Sequence, residues 1–263
     1  MILPQKQHHF NEKYEKVVKN IANSTISIYN VRVIYEIHGD DMIIFNDLNY
    51  VICKKPIGIS SQKTDGDNDM PSLISQNTNI PVGRIHTVHR LDSSVGGTMV
   101  YALGKEKAAK LSALISASNM RKEYLAVIHG VPETTNGIFE DLLFKDSTKN
   151  KSFIVKRMRK GVKEAILEFK LIDTVCFDGK EMSLVKILLH TGRTHQIRVQ
   201  FSHRKMPLVG DRRYGSGKDK CTVALWSHEI SFVSPFDNEQ KTYSTIPDTE
   251  NFPWNLFDKS YFK

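Results

Sequence analysis

Phe10, Tyr14, Val17, Val18 and Ile21 recur at spacings of three and four, which predicts an amphipathic helix over residues 9 to 22. From Thr25 the pattern changes to β-branched and aromatic residues in TISIYNVRVIYEI, a strand signature. The short runs MIIF and YVICKK then flank Asn46 to Asn49 as a hairpin. Pro56 and Gly58 break the second of these strands, and KTDGDNDMP at 63 to 71 reads as an exposed loop before a short helix from Pro71. TMVYAL predicts a strand, and Ala108, Leu111, Leu114 and Ile115 make one face of a helix whose outer face carries Lys105, Lys107 and Lys110. EYLAVIHG, SFIVKRM, KEAILEFKLIDTV, SLVKILLH, TVALW and EISFVS are further strands, most of them bounded by turn residues.

Many strands with few interspersed helices predict an α+β fold on a largely antiparallel sheet rather than a doubly wound parallel one. No repeat of fixed period occurs and no linker divides the chain. Residues 1–41 are read as an extension of helix plus strand, and 42–263 as one domain.

The 263 residues, 40% apolar and 25% charged, are ordinary globular proportions. The longest apolar runs fall far short of the ~20 residues that cross a bilayer. With no secretory pattern in MILPQKQHHF, the expectation is a cytoplasmic protein. Cys53, Cys176 and Cys221 lack the paired spacing of a zinc or redox motif and are expected as reduced, buried thiols. Lys plus Arg is 37 against 29 Asp plus Glu, a net charge of +8 that favours a polyanionic partner.

The chain has no G-x-G-x-x-G, P-loop, G-x-S-x-G or H-E-x-x-H, and its ten histidines lie in no familiar metal set. Two segments stand out. In Val88 to Gly97, glycines permit close backbone approach and Asp92 sits beside cations that favour its ionised form, so it can act as nucleophile or base. An Asp that only caps a turn and pairs with Arg90 is the structural alternative. In Leu188 to Arg198 an apolar strand runs through a turn into a helix start with Thr194 as N-cap. Ile197 and Phe201 lie one turn apart, placing Arg198 off their stripe and toward a cleft, where several donors can meet one anion. A structural Arg stapling loop to helix explains the segment equally well. A third feature, residues 144 to 165, reads as a basic hairpin in which Lys156, Arg157, Arg159 and Lys160 are interleaved with Phe and Met. That mix suits tracking along an RNA backbone, although a solvated surface is the plainer alternative.

In order along the chain, VICKKPIGI, HRLD, RKEYLAVIHG, LHTGRTHQIRV and PLVGDRRYG resemble the motifs of the RluA branch of the pseudouridine synthases. The resemblance runs from about Met42 to Pro235. It implies an antiparallel sheet with flanking helices and a central RNA-binding cleft, and a cofactor-free isomerisation of uridine to pseudouridine within rRNA or tRNA. It further implies Asp92 as the catalytic carboxylate, Tyr124 as the aromatic residue against the uracil, Arg198 as the partner of Asp92, and Arg90 as the arginine that helps unstack the target base. Lys55, His89, Arg193 and His195 are implied as further substrate contacts, with Leu188 and Ile197 walling the cleft. No metal is implied, and a monomer is expected.

The chain departs from the family at Val95, where many members have Thr, and Ser93, Ser94 or Thr98 is the substitute hydroxyl. It also has Trp226 and Ser234 where the family often has His. A non-catalytic RNA-binding protein using the same cleft is the rival class. A glycosidase would need two carboxylates across the bond, and the motifs supply one.

Overall fold

A computed structural model describes residues 42–66 and 68–262, so the helix and strand expected before Met42 lie outside the described residues. Among the described residues eleven strands form one sheet in the order β1-β2-β4-β10-β5-β9-β8-β6-β7, with β3 paired to β4 and β11 to β10. They are β1 (Ile43–Asn46), β2 (Tyr50–Lys55), β3 (Ile85–Thr87), β4 (Gly96–Leu103), β5 (Met120–His129), β6 (Asn136–Asp146), β7 (Lys151–Val155), β8 (Val162–Phe177), β9 (Lys180–Leu189), β10 (Leu225–Val233) and β11 (Gln240–Ser244). Among them the pairing of β4 with β10 is parallel and every other pairing is antiparallel, so the α+β expectation holds. The α-helices among the described residues are α1 (Met70–Thr78), α2 (Lys105–Ser116) and α3 (Gln196–His203).

Side chains on a strand alternate between faces, and β5 shows both outcomes. Tyr124, Ala126 and Ile128 join a core with Leu91, Val95, Ile187, Leu189, Ile197 and Phe201, which brings α3 and the loop before β4 onto that face. Leu125 and Val127 point the other way and pack with Leu184, Trp226, Trp254 and Phe257. β4 is buried along its whole length, which is why its apolar run shows no period of two.

Several expectations are corrected here. TVALW and EISFVS are not two strands: β10 runs from Leu225 through the polar pair His228-Glu229, where its register against β5 shifts between Ser227 and Glu229 and the His228 ring bonds the Thr245 carbonyl. The loop before α1 is mostly exposed but ends in a buried Asp69, which caps the helix by accepting the Ser72 N–H at 2.8 Å and the Thr64 N–H at 2.9 Å. Burial pushes the Asp69 carboxyl up, but these bonds and Lys63 outweigh it and hold the pKa down to about 2. Of the cysteines only Cys53 is buried, whereas Cys176 is exposed and Cys221 half-buried.

No helix among the described residues is long and apolar enough to cross a membrane. The described residues also contain no group of three or more His, Cys, Asp or Glu placed to hold a metal ion.

Candidate active site

Between β3 and β4 the chain forms a loop whose two ends are sunk in the core through Leu91 and Val95, leaving Asp92, Ser93 and Ser94 at the surface of a cleft of about 1240 Å³. The loop is pinned on every side. Ser61 Oγ donates to the Leu91 carbonyl and accepts the Leu91 N–H, the Gly58 N–H donates to the Ser93 carbonyl, and the Val95 N–H closes a turn onto the Asp92 carbonyl. Behind the loop, Lys55 is wholly buried and donates to the carbonyls of Pro56 and Ser93. Burial lowers the pKa of its ammonium to about 8, against the opposing pull of Asp92. The substrate contact expected of Lys55 is therefore corrected: the side chain is shut off from the cleft and braces the loop that carries Asp92.

Glycines at the start of β4 let the loop approach β10. A Cβ on Gly96 would stand 2.3 Å from the Trp226 ring, and one on Gly97, at φ +122°, would stand 2.2 Å from the Ser227 carbonyl oxygen. Val95 fills the core, and Thr98 is buried and hydrogen bonded to the His228 carbonyl and the Thr245 hydroxyl. Thr98 therefore supplies no hydroxyl to Asp92, whereas Ser93 and Ser94 line the cleft.

The facing wall comes from the turn between β9 and α3. Thr194 is not the N-cap: that position is His195, in the left-handed region at φ 54° with no side-chain cap. The turn is held by Gln196 instead, whose Oε1 accepts the Arg193 N–H and the Thr191 hydroxyl while its Nε2 donates to the Ile166 carbonyl. Two residues further along α3, Arg198 is 7% exposed and spans two carboxylates. Its Nε and a terminal nitrogen grip the fully buried Asp211 side chain at 2.7 and 2.8 Å, and its other terminal nitrogen donates to Asp92 Oδ2 at 2.9 Å. Asp211 is fixed in turn by the N–H groups of Arg213 and Tyr214. Burial favours neutral forms of both Arg198 and Asp211, yet their mutual attraction prevails, raising the pKa of one and lowering that of the other.

His195 Nε2 lies 3.5 Å from Asp92 Oδ2, and its Nδ1 is 2.9 Å from the Tyr214 hydroxyl, which also accepts the Ser152 N–H. Burial lowers the His195 pKa despite the pull of Asp92, so the ring is neutral. A Tyr214 hydroxyl that donates to Nδ1 leaves Nε2 as the N–H facing Asp92. Tyr124, 6% exposed, projects from β5 into the same cleft. Burial raises the pKa of its hydroxyl to about 12, against a hydrogen bond with Ser227. His89 Nε2 accepts the Val100 N–H, and burial lowers its pKa to about 3, keeping the ring neutral.

Thus Asp92, Tyr124, Arg198, His89, Arg90, Arg193, His195 and Ile197 meet at one cleft. Arg90 is exposed and donates to Gln62, and Arg193 donates through Nε to the Glu164 carbonyl. Leu188 does not wall the cleft. Its neighbour Leu189 does, because alternation along β9 turns Leu188 to the opposite face. Lys156, Arg157, Arg159 and Lys160 are exposed on the loop between β7 and β8, outside the cleft. β6 and β7 do form a hairpin, from Leu142 to Val155, and it is the tip residues Lys145, Lys149 and Asn150 that reach the cleft. Arg213 donates to the Asn150 carbonyl and Lys151 to the Arg213 carbonyl, which docks the tip beside Asp211.

Asp211, Tyr214, Arg212 and Lys122 were not singled out as site residues in the sequence. The Asp-Arg-Arg-Tyr run of PLVGDRRYG is the signal for the first three. Asp92 is the only carboxylate on the described lining, against Arg90, Lys122, Lys145, Lys149, Arg193, Arg198, Arg212 and Arg213. Such a cleft attracts a polyanion and presents it with one nucleophilic or basic oxygen.

The arrangement agrees with known proteins. A family model described as RNA pseudouridylate synthase matches residues 49–203. The tRNA pseudouridine synthase C of Vibrio parahaemolyticus is 27% identical over 225 residues, covering 79% of this chain and 91% of its own length. The ribosomal large subunit pseudouridine synthase C of Buchnera aphidicola is 34% identical over 183 residues, covering 68% of this chain and 55% of its own. The solved structure of human RNA pseudouridylate synthase domain containing 1 has the same fold, with a TM-score of 0.66 at 23% identity over 80% of this chain and 84% of that one.

Proposed function

Because the chain belongs to the RNA pseudouridylate synthase family, in its RluA branch, and so isomerises uridine to pseudouridine within RNA, we propose that Asp92 performs the chemistry at the sugar, with Arg198 as its counter-charge and Tyr124 as the platform for the uracil. The reaction breaks the bond from uracil N1 to the anomeric carbon, turns the base while it is held, and joins uracil C5 to the same carbon. Asp92 either adds to the anomeric carbon, with uracil leaving as an anion, or removes the sugar's C2′ proton to give a glycal. Both routes begin from a carboxylate. C5 then joins the anomeric carbon, displacing Asp92 as a free carboxylate in the first route or adding to the glycal as Asp92 returns its proton to C2′ in the second; C5 loses its own proton and N1 gains one, so the product is an isomer of the substrate.

The observation that carries this reading is the placement of Asp92 as the one carboxylate in a cationic cleft, held at 2.9 Å by an Arg198 whose other edge is locked on buried Asp211. A module that only bound RNA would gain nothing from a carboxylate that repels phosphate. The cleft admits one nucleotide out of its stack, a step that costs a few kcal/mol and least where the base is already unpaired. The target is accordingly a uridine in a loop or bulge of ribosomal or transfer RNA, as the names of the two bacterial relatives suggest. Mass-spectrometric mapping of pseudouridine in cellular RNA with and without the gene tests this. Loss of modification at a loop or bulge position supports the reading, and an unchanged map refutes it.

A further inference from the structure

Lys122 is a buried cation that the chemistry above does not use. It precedes Tyr124 by two positions on β5, so both side chains project from the same face of the sheet into the cleft. The residue is only 7% exposed, its ammonium is open to the cleft rather than sealed in the core, and it makes no hydrogen bond or ion pair among the described residues. Its surroundings make that costly. A Cβ on Gly192 would sit 3.9 Å from Nζ, His89 has committed its Nε2 to the Val100 N–H, and Arg193 is a second cation that further disfavours the charge on Lys122. Arg193 is itself only half satisfied: Nε donates to the Glu164 carbonyl, and its terminal nitrogens have no partner among the described residues.

An ammonium that reaches the cleft from a largely buried stem, with no protein partner, is only partly hydrated, and a neighbouring cation raises the cost of its charge. A surface that keeps both is arranged for an anion that arrives with the substrate. We propose that Lys122 and Arg193 form a seat for one backbone phosphate of the RNA, adjacent to the nucleotide lying over Tyr124. A phosphodiester carries a full negative charge in every bound state and offers two oxygens to two donors. Neutral uracil would leave both cations uncompensated until the glycosidic bond broke. The inference deepens the reading of this cleft as the RNA site and rests on it.

The test uses two stem-loop RNAs, one with an all-uridine loop and one with the same loop made abasic, which keeps every phosphate and removes the bases. Their binding to wild-type protein, Lys122→Met and Lys122→Arg is measured against salt. A phosphate contact predicts that Lys122→Met flattens the slope of log affinity against log salt by ~0.7 on both RNAs, and that Lys122→Arg restores it. The methionine variant should also melt no lower than wild type without RNA, because it removes an unpaired charge and keeps the stem. A slope unchanged in Lys122→Met overturns the proposal, as does a loss confined to the uridine loop, which would place the ammonium on the base. Lower melting with an unchanged slope would make Lys122 a packing residue and also overturn it. Pseudouridine formation by the wild type is scored separately. Its absence with the slope effect intact would sink the catalytic reading and leave the phosphate seat standing.

Discussion

Arg198 shows how a residue buried at 7% exposure can serve a reaction it does not perform. Its guanidinium has a fixed fork of donors. With one edge held on Asp211, the remaining nitrogen has a defined direction, and Asp92 lies in it. Asp211→Asn preserves shape and removes the charge that holds the fork. Breaking one side of a buried ion pair costs roughly 3–5 kcal/mol, so the variant should unfold at lower denaturant and lose pseudouridine formation even where it remains folded. Full activity in folded Asp211→Asn would show that Arg198 needs no such clamp. Tyr124→Phe keeps the ring and removes a hydroxyl bonded to Ser227; it should bind RNA nearly as well as wild type and turn over more slowly. Equal turnover would reduce Tyr124 to a packing surface. That Asp92, Tyr124 and Arg198 share one cleft was legible because each sits in one of the motifs that carry the family resemblance. Asp211 was harder to assign, since its role exists only when a chain segment thirteen positions beyond Arg198 folds back under it. Leu188 was misassigned for a related reason: Ile187, Leu188 and Leu189 are all apolar because β9 is covered on both faces, so the pattern carries no phase.

The strand elements most legible in the sequence were the uninterrupted apolar ones, such as β2 and β4. β6, β3 and β11 were not foreseen. β6 carries its apolar residues in blocks separated by the charged pairs Glu140-Asp141 and Lys145-Asp146, so it shows no period of two, and the other two are only three and five residues long. The division of β10 into two strands left Ser227 and His228 between them, where these residues instead lie at a shift of register within one strand. The close parallel approach of β4 and β10 depends on the absence of a Cβ at Gly97. Gly97→Ala should force backbone apart and strain a positive φ, costing at least about 1–3 kcal/mol by denaturant unfolding; an unchanged midpoint would mean that the two strands can separate at no cost. The loop between β7 and β8 lies outside the cleft, and its four cations suit a grip on phosphates flanking the site. Replacing Lys156, Arg157, Arg159 and Lys160 by Ala should flatten the salt dependence of RNA binding by up to about three units without moving the modified position. An unchanged slope would leave that loop a solvated surface.

At the scale of the whole molecule, the fold surrounds one carboxylate with cations and holds His89, His195 and His228 neutral. His89, with its pKa lowered to about 3, and His195 and His228, also lowered, are depressed mainly by burial from the ordinary value of 6.5. Below that value the unfolded chain takes up protons that the folded protein does not, so their contribution to stability is complete above it and is lost as pH falls toward their folded values. Unfolding free energy should therefore decline as pH drops below about 6.5, and His89→Gln should decline less steeply. A flat profile between about pH 7 and pH 5 would contradict neutral, buried rings. The general class of fold and the polyanionic partner could be read from strand content, net charge and five ordered motifs, and the motifs also named residues that the fold brings to one cleft. The cationic lining as a set could not, because Lys122, Lys145, Arg193 and Arg213 come from four separate segments that only the folded sheet brings together.

The central claim is that Asp92 is the group on which the isomerisation depends, and one comparison tests it most directly. Asp92→Asn and wild-type protein are incubated with an RNA that the wild type modifies, and pseudouridine formation and RNA affinity are measured on the same samples. The account predicts that the variant forms no pseudouridine while its affinity stays within a few fold of wild type or rises, because a repulsive charge has left the cationic cleft and the shape is kept. Pseudouridine formed by Asp92→Asn at the wild-type rate would contradict it.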